Sequence, residues 1–196
     1  MLQFEKPLIL ASASPRRQEL LNRAGLSFTV LTKDVDENYP AELQGSAVAE
    51  YIAKKKASAY DMEVQSGSII ITADTIVVVD EIILGKPSNA VAAMEMLRML
   101  SGRTHQVITA VCIRSRQHTH CFSSTTYVRF RKLEDKEISH YVENHKPFDK
   151  AGGYGIQEWI GHVGIESING SYDNVVGLPV AALWNEIQSL KDAGLI

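Results

Sequence analysis

A segment rich in serine and arginine near the start of the chain has the residue types that bind phosphate groups. The segment Ser12-Ala-Ser-Pro-Arg-Arg17 follows an apolar stretch that predicts a strand, and Ser14 and Pro15 predict the first turn of a helix. Backbone N–H groups at a helix start carry partial positive charge, and arginine adds planar donors that match phosphate oxygens. Because cations oppose the helix dipole at this end, we favour an anion site over two solvated first-turn arginines.

Two acidic positions have the chemistry to act on a phosphate or to bind a divalent cation. Asp74 directly follows a run of β-branched residues, and we expect it at the carboxyl end of a central strand, where open α/β sheets bind ligands. Asp36 and Glu37 follow the second predicted strand and would add carboxylates, of which Mg²⁺ takes a few together with substrate phosphates. The alternatives are an ordinary turn aspartate at 74 and a solvated acidic loop at 36–37.

Lysines and a glycine-rich segment are further candidates for contacts with a nucleotide. Lys54-Lys-Lys56 lie in a predicted helix, so their side chains fan around it and at most two face one site. Lys86 lies in the tight connection Gly85-Lys-Pro87. In Asp149-Lys-Ala-Gly-Gly-Tyr-Gly-Ile-Gln157, the glycines indicate backbone freedom or a close approach to a ligand, and Gln157 has a donor and an acceptor for a nucleobase edge. The alternatives are solvated lysines and a glycine-rich loop that binds nothing.

The elements that must position these residues alternate between strands and helices. Apolar and β-branched runs predict strands at 8–11, 28–32, 69–73, 76–79, 82–84, 105–114 and 119–130. Capping residues and apolar spacing predict helices from Ser14 to Gly25, from Ser46 to about Tyr60, from Ser88 or Asn89 to Leu100, at 134–144 and from Leu178 onward. Around the turn Asn169-Gly170 we expect a hairpin of 163–168 with 172–176. The pattern predicts one continuous α/β fold with two lobes around a cleft.

Composition excludes several classes of protein. The 196 residues are 45% hydrophobic and 22% charged with a net charge of -3, which is typical of a globular protein without the basic excess of a nucleic-acid-binding surface. Apolar runs are too short to span a bilayer, and the first residues lack the pattern of an export signal. We therefore expect a cytoplasmic protein that binds neither nucleic acid nor membrane. In that reducing compartment, Cys112 and Cys121 are expected to be free thiols that face each other across a hairpin.

Together and in this order, the segments resemble the Maf family of nucleoside triphosphate pyrophosphatases. The resemblance runs from Leu8-Ile-Leu-Ala-Ser-Ala-Ser-Pro-Arg-Arg17 to Val176-Gly-Leu-Pro179. It implies a single domain over residues 1–196, in which a mixed twisted sheet with flanking helices forms two lobes around a central cleft. That architecture is related to the inosine triphosphate pyrophosphatases. The resemblance also implies a homodimer and release of pyrophosphate from a nucleoside triphosphate with a divalent cation (Mg²⁺, Mn²⁺ or Co²⁺).

The resemblance implies a role for individual residues as well. Asp74 matches the catalytic base and Glu37 a carboxylate linked to metal and catalysis, so both are expected metal ligands. The positions that match the family's triphosphate contacts are Ser12, Arg16, Arg17, Lys56 and Lys86. The positions that separate the family's substrate subgroups are Arg16, Thr75 and Gln157. In the subgroup that acts on 7-methylguanosine triphosphate, tryptophan and glutamate replace the first and last of these, which suits a cationic base.

These positions resemble the dTTP/UTP subgroup, so we expect hydrolysis of dTTP and UTP between the α- and β-phosphates. The segment departs from the usual pattern only slightly, since Gly153 replaces a more usual alanine. Two alternatives stand beside this expectation. One is a non-catalytic nucleotide-binding regulator of cell division, because the family has been linked to arrest of septum formation. The other is a pyrophosphatase for modified purine nucleotides.

Overall fold

The computed structural model describes residues 4–196, whose strands form a seven-stranded mixed sheet. The strands are β1 (Leu8–Leu10), β2 (Thr29–Val30), β3 (Ile69–Val79), β4 (Ile82–Leu84), β5 (Thr104–Arg114), β6 (Thr119–Phe130) and β7 (Ile165–Asn169). Their order is β2-β1-β3-β5-β6-β7, and β4 pairs with β3 outside this path. Strand β1 is parallel to β2 and β3, whereas β4 is antiparallel to β3 and β7 is antiparallel to β6.

Helices follow most of the strands along the chain. They are α1 (Pro15–Arg23), α2 (Ser46–Ser58), α3 (Asp61–Gln65), α4 (Ala90–Leu100), α5 (Asp135–His145), α6 (Trp159–Gly164), α7 (Tyr172–Val176) and α8 (Val180–Asp192), with a 3₁₀ turn at Ala151–Gly153. The predicted fold class, a mixed α/β sheet with flanking helices, is confirmed. No helix within residues 4–196 is both long enough and apolar enough to cross a membrane.

The chain divides into two compact units. Unit 1 contains the described residues up to Asp74 together with Thr109–Ser124 and Gly177–Ile196, and unit 2 contains Thr75–Ile108 and Thr125–Val176. Strands β3, β5 and β6 are 11 or 12 residues long, and each contributes residues to both units.

In unit 1, the packing of α2 on the sheet determines where its lysines lie. Strands β1 and β3 are buried along almost their whole length and are mostly apolar, because both of their faces are covered. Helix α2 places Val48, Ala49, Ile52, Ala53 and Ala57 in the core. The hydroxyl of Thr72 in β3 donates to the carbonyl oxygen of Ala53 over 2.7 Å and ties the helix to the strand. This bond joins β3 to the turn of α2 that precedes Lys56.

The prediction that Asp74 ends a strand is wrong. Strand β3 continues without a break through Asp74 to Val79, so the two predicted strands at 69–73 and 76–79 are one element. The sequence pattern pointed to an end at this position because aspartate is a poor strand residue. Tertiary pairing overrides that preference, because a neighbouring ammonium group compensates the buried carboxylate, as described below.

The predicted hairpin at 163–176 is also wrong in its second half. Residues 165–169 form β7, but residues 172–176 form helix α7, and β7 pairs with β6 instead. The backbone N–H of Ser171 donates to the hydroxyl of Thr126 on β6, and that hydroxyl donates to the Ser171 carbonyl oxygen, each over 3.1 Å. Gly170, with φ 127°, approaches Thr126 so closely that an added Cβ would lie 2.7 Å from its Oγ1. These contacts hold the residues that follow β7 against Thr126 of β6.

The two cysteines lie opposite each other on β5 and β6, as expected from a hairpin between them. The structure joins Cys112 and Cys121 in a disulfide, so the prediction of free thiols is wrong. Adjacent antiparallel strands bring opposed side chains close enough for this bond, whereas the prediction rested only on the expected compartment.

A buried histidine lies in the aromatic part of unit 2. His105 is 1% exposed, its Nε2 is 2.7 Å from the hydroxyl of Tyr154, and its ring contacts the rings of Phe130 and Tyr154. Burial lowers the pKa of His105 from 6.5 to about 4, because the charged imidazolium would lose its hydration. The folded state therefore holds this ring neutral at pH values where the unfolded chain binds a proton.

This difference predicts a loss of stability in mild acid. As the pH falls from the ordinary histidine pKa towards 4, protonation of the unfolded chain should reduce the free energy of unfolding by up to about 3 kcal/mol. Urea unfolding at pH 7, 5.5 and 4.5 measures this slope, and His105→Phe should flatten it. The exposed His162→Gln is the matched control and should keep the wild-type slope. An unchanged slope in His105→Phe would contradict the assignment.

Candidate functional site

The start of α1 is built as its sequence predicts. Ser14 is the N-cap, its hydroxyl accepts a hydrogen bond from the backbone N–H of Arg17 over 3.5 Å, and Pro15 is the first helical residue. The hydroxyl of Ser12 accepts from the backbone N–H of Ser14 over 3.3 Å. Both serine side chains therefore order the turn that presents Arg16 and Arg17.

The guanidinium of Arg17 connects three segments of unit 1. Its Nε donates to the carbonyl oxygen of Gly177 over 2.8 Å, and its Nη1 donates to the carbonyl oxygen of Ala73 over 3.0 Å and to the hydroxyl of Ser12 over 3.2 Å. Burial lowers the pKa of Arg17, and the nearby Asp74 opposes that change. The side chain thus holds β3 at the residue before Asp74 and also binds the chain just before α8.

Two carboxylates meet at one ammonium group. The Nζ of Lys56 lies 2.7 Å from Oδ1 of Asp74 and 2.7 Å from Oε1 of Glu37. The Asp74 side chain is 11% exposed and that of Glu37 is 45% exposed. Of the two carboxylates, Asp74 is therefore buried and Glu37 is accessible to solvent. Since both oxygens contact the same nitrogen, they lie no more than twice that distance apart. The structure thus brings together three of the residues predicted for the site, which are Asp74, Glu37 and Lys56.

The surroundings of Asp74 change the pKa of its carboxyl group. Burial raises the pKa of Asp74 above its ordinary value, and the negative charge of Glu37 adds to this effect, whereas Lys56 and Arg17 lower it. A carboxylate with a raised pKa is a better proton acceptor than an ordinary aspartate. The local electrostatics therefore suit Asp74 to the role of a general base.

The loop that carries Glu37 is fastened to unit 1 by lysines on either side of the contact with Lys56. The Nζ of Lys55 lies 3.0 Å from Oδ2 of Asp36 and donates to the carbonyl oxygen of Asn38 over 3.0 Å. Lys33 pairs with Glu63 and donates to the carbonyl oxygen of Ala59. The hydrogen bond from Lys55 lowers the pKa of Asp36. Asp36 therefore does not join Glu37 at Lys56, and the anchoring role of Lys55 was not predicted.

The donor set at Lys56 fits a divalent cation that is shared with a substrate. Within residues 4–196, no group of three or more His, Cys, Asp and Glu side chains is arranged to hold a metal ion. Mg²⁺, however, is usually bound by one or two carboxylates together with phosphate oxygens and water. Asp74 and Glu37 supply two carboxylates directed at one point, where the ammonium group of Lys56 provides the positive charge.

The remaining predicted residues belong to unit 2. Thr75 follows Asp74 in β3 and is half-buried, whereas Lys86 and Gln157 are exposed. The backbone N–H of Gly152 donates to the carbonyl oxygen of Gly85 over 3.0 Å, so the loop that carries Lys86 contacts the glycine segment before Gln157. Participation of Thr75, Lys86 and Gln157 in the site around Asp74 stays a prediction.

Known proteins are similar to this chain in sequence and in fold. Residues 7–190 match the profile of the Maf-like protein family. The chain belongs to this family. A protein of Bacteroides fragilis named dTTP/UTP pyrophosphatase is 50% identical over 184 residues, which cover 93% of this Maf-like chain and 95% of that protein. A protein of the same name from Porphyromonas gingivalis is 50% identical over 190 residues, covering 95% and 94%.

A solved structure shows the fold of this Maf-like chain in a more distant protein. The HAM1 protein from Coxiella burnetii matches it with a TM-score of 0.51 at 13% sequence identity, over 95% of this chain and 99% of that one. The family resemblance predicted from the sequence is thereby confirmed by the family profile, and the fold class by the structure.

The contacts of Arg17 predict that its replacement destabilises the protein more than the replacement of an exposed arginine does. Arg17→Lys keeps the charge but cannot reach all three acceptors, so it leaves buried carbonyl groups unpaired and should lower the free energy of unfolding by about 2–4 kcal/mol. Denaturant unfolding measures the change. Arg23→Lys on the same helix replaces an arginine that is exposed and should stay near wild type. Equal stability of the two variants would contradict the connecting role.

Proposed function

We propose that this chain hydrolyses dTTP and UTP between the α- and β-phosphates and releases the nucleoside monophosphate and pyrophosphate. The observation that carries the proposal is the cluster in unit 1, where the buried Asp74 contacts Lys56 and lies near Arg17. An acidic group that can accept a proton, beside groups that neutralise phosphate charge, is the combination that this hydrolysis needs. The names of the relatives at 50% identity support the choice of dTTP and UTP.

Asp74 acts in this mechanism as the general base. It accepts a proton from a water molecule whose oxygen attacks the α-phosphorus, while the bond from that phosphorus to the oxygen bridging the α- and β-phosphates breaks. The residues assigned to the triphosphate, whose negative charge grows on the leaving pyrophosphate, are Ser12, Arg16, Arg17, Lys56 and Lys86. Arg17 also binds the strand that carries Asp74, and its hydrogen bond to Ser12 holds the helix start that carries Arg16.

A divalent cation is part of the proposal. Asp74 and Glu37 would hold the cation. When bound, a divalent cation neutralises phosphate oxygens and stabilises the negative charge that develops in the transition state. Lys56 supplies positive charge to the same two carboxylates, so we propose that it must give up at least one of them when the cation and the nucleotide bind.

Selection of the base is assigned to Arg16, Thr75 and Gln157. The neutral amide of Gln157 can offer both a donor and an acceptor to the edge of thymine or uracil. The alternatives, a non-catalytic regulator and a pyrophosphatase for modified purine nucleotides, gain no support from relatives that are named for dTTP and UTP. A side-by-side panel of dTTP, UTP, ITP and 7-methylguanosine triphosphate with Mg²⁺ separates the three functions through the pyrophosphate released.

Replacement of the proposed base tests the mechanism directly. Asp74→Asn removes the proton acceptor and should reduce kcat for dTTP by about 10²–10⁴-fold. For the wild-type protein, the raised pKa of Asp74 predicts an acidic limb of the kcat/KM profile above the ordinary aspartate pKa, since only the ionised carboxylate accepts the proton. Steady-state pyrophosphate release from pH 4 to 9 measures both effects.

A matched control in unit 1 is Asp192→Asn, which changes an exposed aspartate and should keep the wild-type rate. Circular dichroism of all three proteins establishes that the fold is retained. Turnover of dTTP by Asp74→Asn at the wild-type rate would show that another group accepts the proton.

The contacts of Lys56 predict how metal binds in the absence of nucleotide. Lys56→Met removes the ammonium group that pairs with both carboxylates, so Mn²⁺ should bind this variant at least about tenfold more tightly than it binds the wild type. Electron paramagnetic resonance of free Mn²⁺ measures the affinity without any turnover. Lys54→Met, at an exposed position of the same helix, is the control and should match the wild type. Equal affinities in all three proteins would rule out competition between Lys56 and the metal.

A further inference from the structure

Gln157 lies in a tight turn of unit 2. The backbone N–H of Glu158 donates to the carbonyl oxygen of Gly155 over 3.0 Å, which closes a four-residue turn with Ile156 and Gln157 at its centre. Ile156 is buried, whereas Gln157 is exposed. The turn therefore has one central side chain anchored in the protein and the other accessible to a ligand.

One tyrosine hydroxyl binds both ends of this turn. Tyr141 in α5 is fully buried, and its hydroxyl accepts a hydrogen bond from the backbone N–H of Gly155 over 3.0 Å. The same hydroxyl donates to Oε2 of Glu158. Burial and the contact with Glu158 raise the pKa of Tyr141, so the hydroxyl keeps the proton that it donates. The first and last residues of the turn are thus held by a single atom of α5.

Further contacts fix Glu158 in this position. Its Oε1 lies 3.0 Å from Nζ of Lys150, whose side chain is only 10% exposed. A Cβ added to Gly155 would lie 2.8 Å from the Glu158 carboxyl carbon and 3.0 Å from Cε of Lys150, so a side chain at this position would displace one of these two side chains. On the other side, Gly161 of α6 packs so closely that an added Cβ would lie 2.0 Å from the carbonyl oxygen of Ile156.

We propose that Tyr141, through its hydrogen bonds to Gly155 and Glu158, is a positioning residue that orients Gln157 for selection of the nucleobase. This inference rests on the proposed function, because it gives Gln157 the base contact assigned there. A fixed turn sets the direction of the Gln157 Cα–Cβ bond and so limits the positions that its amide can reach, which favours a base edge with the matching donor and acceptor. Loss of the hydroxyl should therefore weaken discrimination between bases more than it weakens binding of the triphosphate.

A double-mutant cycle on equilibrium binding tests this role. The affinities of non-hydrolysable α,β-imido analogues of dTTP and dGTP are measured by calorimetry for wild type, Tyr141→Phe, Gln157→Ala and the double variant. Tyr141→Phe should reduce the preference for the thymine analogue by about three- to tenfold, the range expected for one hydrogen bond. In the Gln157→Ala background, the same change should alter the preference by less than about twofold, because coupled residues are not additive.

The controls separate positioning from general loss of stability. Tyr127→Phe, at an exposed tyrosine of unit 2, should keep the wild-type preference. Glu158→Gln weakens the other end of the network and should shift the preference in the same direction as Tyr141→Phe. A Tyr141→Phe variant with an unchanged preference, or one whose effect is equally large without Gln157, overturns the proposal.

Binding also distinguishes this inference from the proposed function. A wild-type protein that binds the thymine analogue preferentially but releases no pyrophosphate from dTTP would overturn the proposed hydrolysis, while the cycle would still decide the role of Tyr141. A wild-type protein with equal affinity for the two analogues would overturn base selection by Gln157 and its positioning by Tyr141 together.

Discussion

A carboxylate inside a buried strand needs a positive partner, and in unit 1 that constraint links β3 to α2. Asp74 is 8% exposed and lies in the middle of β3, where an unpaired charge would be very costly. Lys56 supplies the compensating charge from α2, and the bond from Thr72 to Ala53 holds that helix on the strand. Removal of Lys56 takes away the one ammonium group that contacts the buried Asp74 in these ion pairs, which is the costly case for a buried charge, whereas Lys56 without Asp74 would still contact Glu37. The position of the proposed base and the packing of α2 therefore depend on each other.

The charged groups of the candidate site are held by the protein itself. Arg17 uses its donors on the carbonyl oxygens of Gly177 and Ala73, and Lys55 fastens the loop that carries Glu37. Arg17 and the loop of Glu37 therefore need little rearrangement when charge develops on a substrate, which favours electrostatic catalysis, whereas Lys56 is proposed to release a carboxylate on binding. In unit 2, the hydrogen bonds of Tyr141 to Gly155 and Glu158 hold the turn that contains Gln157 in a comparable way.

The errors in the predicted elements have a common physical origin. Local preference placed a strand end at Asp74 and a hairpin around Asn169-Gly170, because aspartate and glycine usually interrupt strands. In the folded chain, Lys56 stabilises Asp74 within β3, and the hydroxyl of Thr126 forms two hydrogen bonds with the backbone of Ser171. Both partners lie far away along the sequence, so no window of neighbouring residues contains the information. The start of α1 was predicted correctly because Ser14 and Pro15 act within one turn.

The sequence by itself determined the α/β class, the family, and the residue types of the candidate site, because apolar periodicity, capping and the order of short motifs are properties of the linear chain. Tertiary structure alone decided how these residues are used. It placed Asp74 within a strand instead of at its end, directed Arg17 towards backbone carbonyls, and divided the adjacent Asp36 and Glu37 between two lysines. These outcomes depend on burial and on partners distant in sequence, which appear only when the chain packs and the cost of desolvating each charge must be met by a specific neighbour.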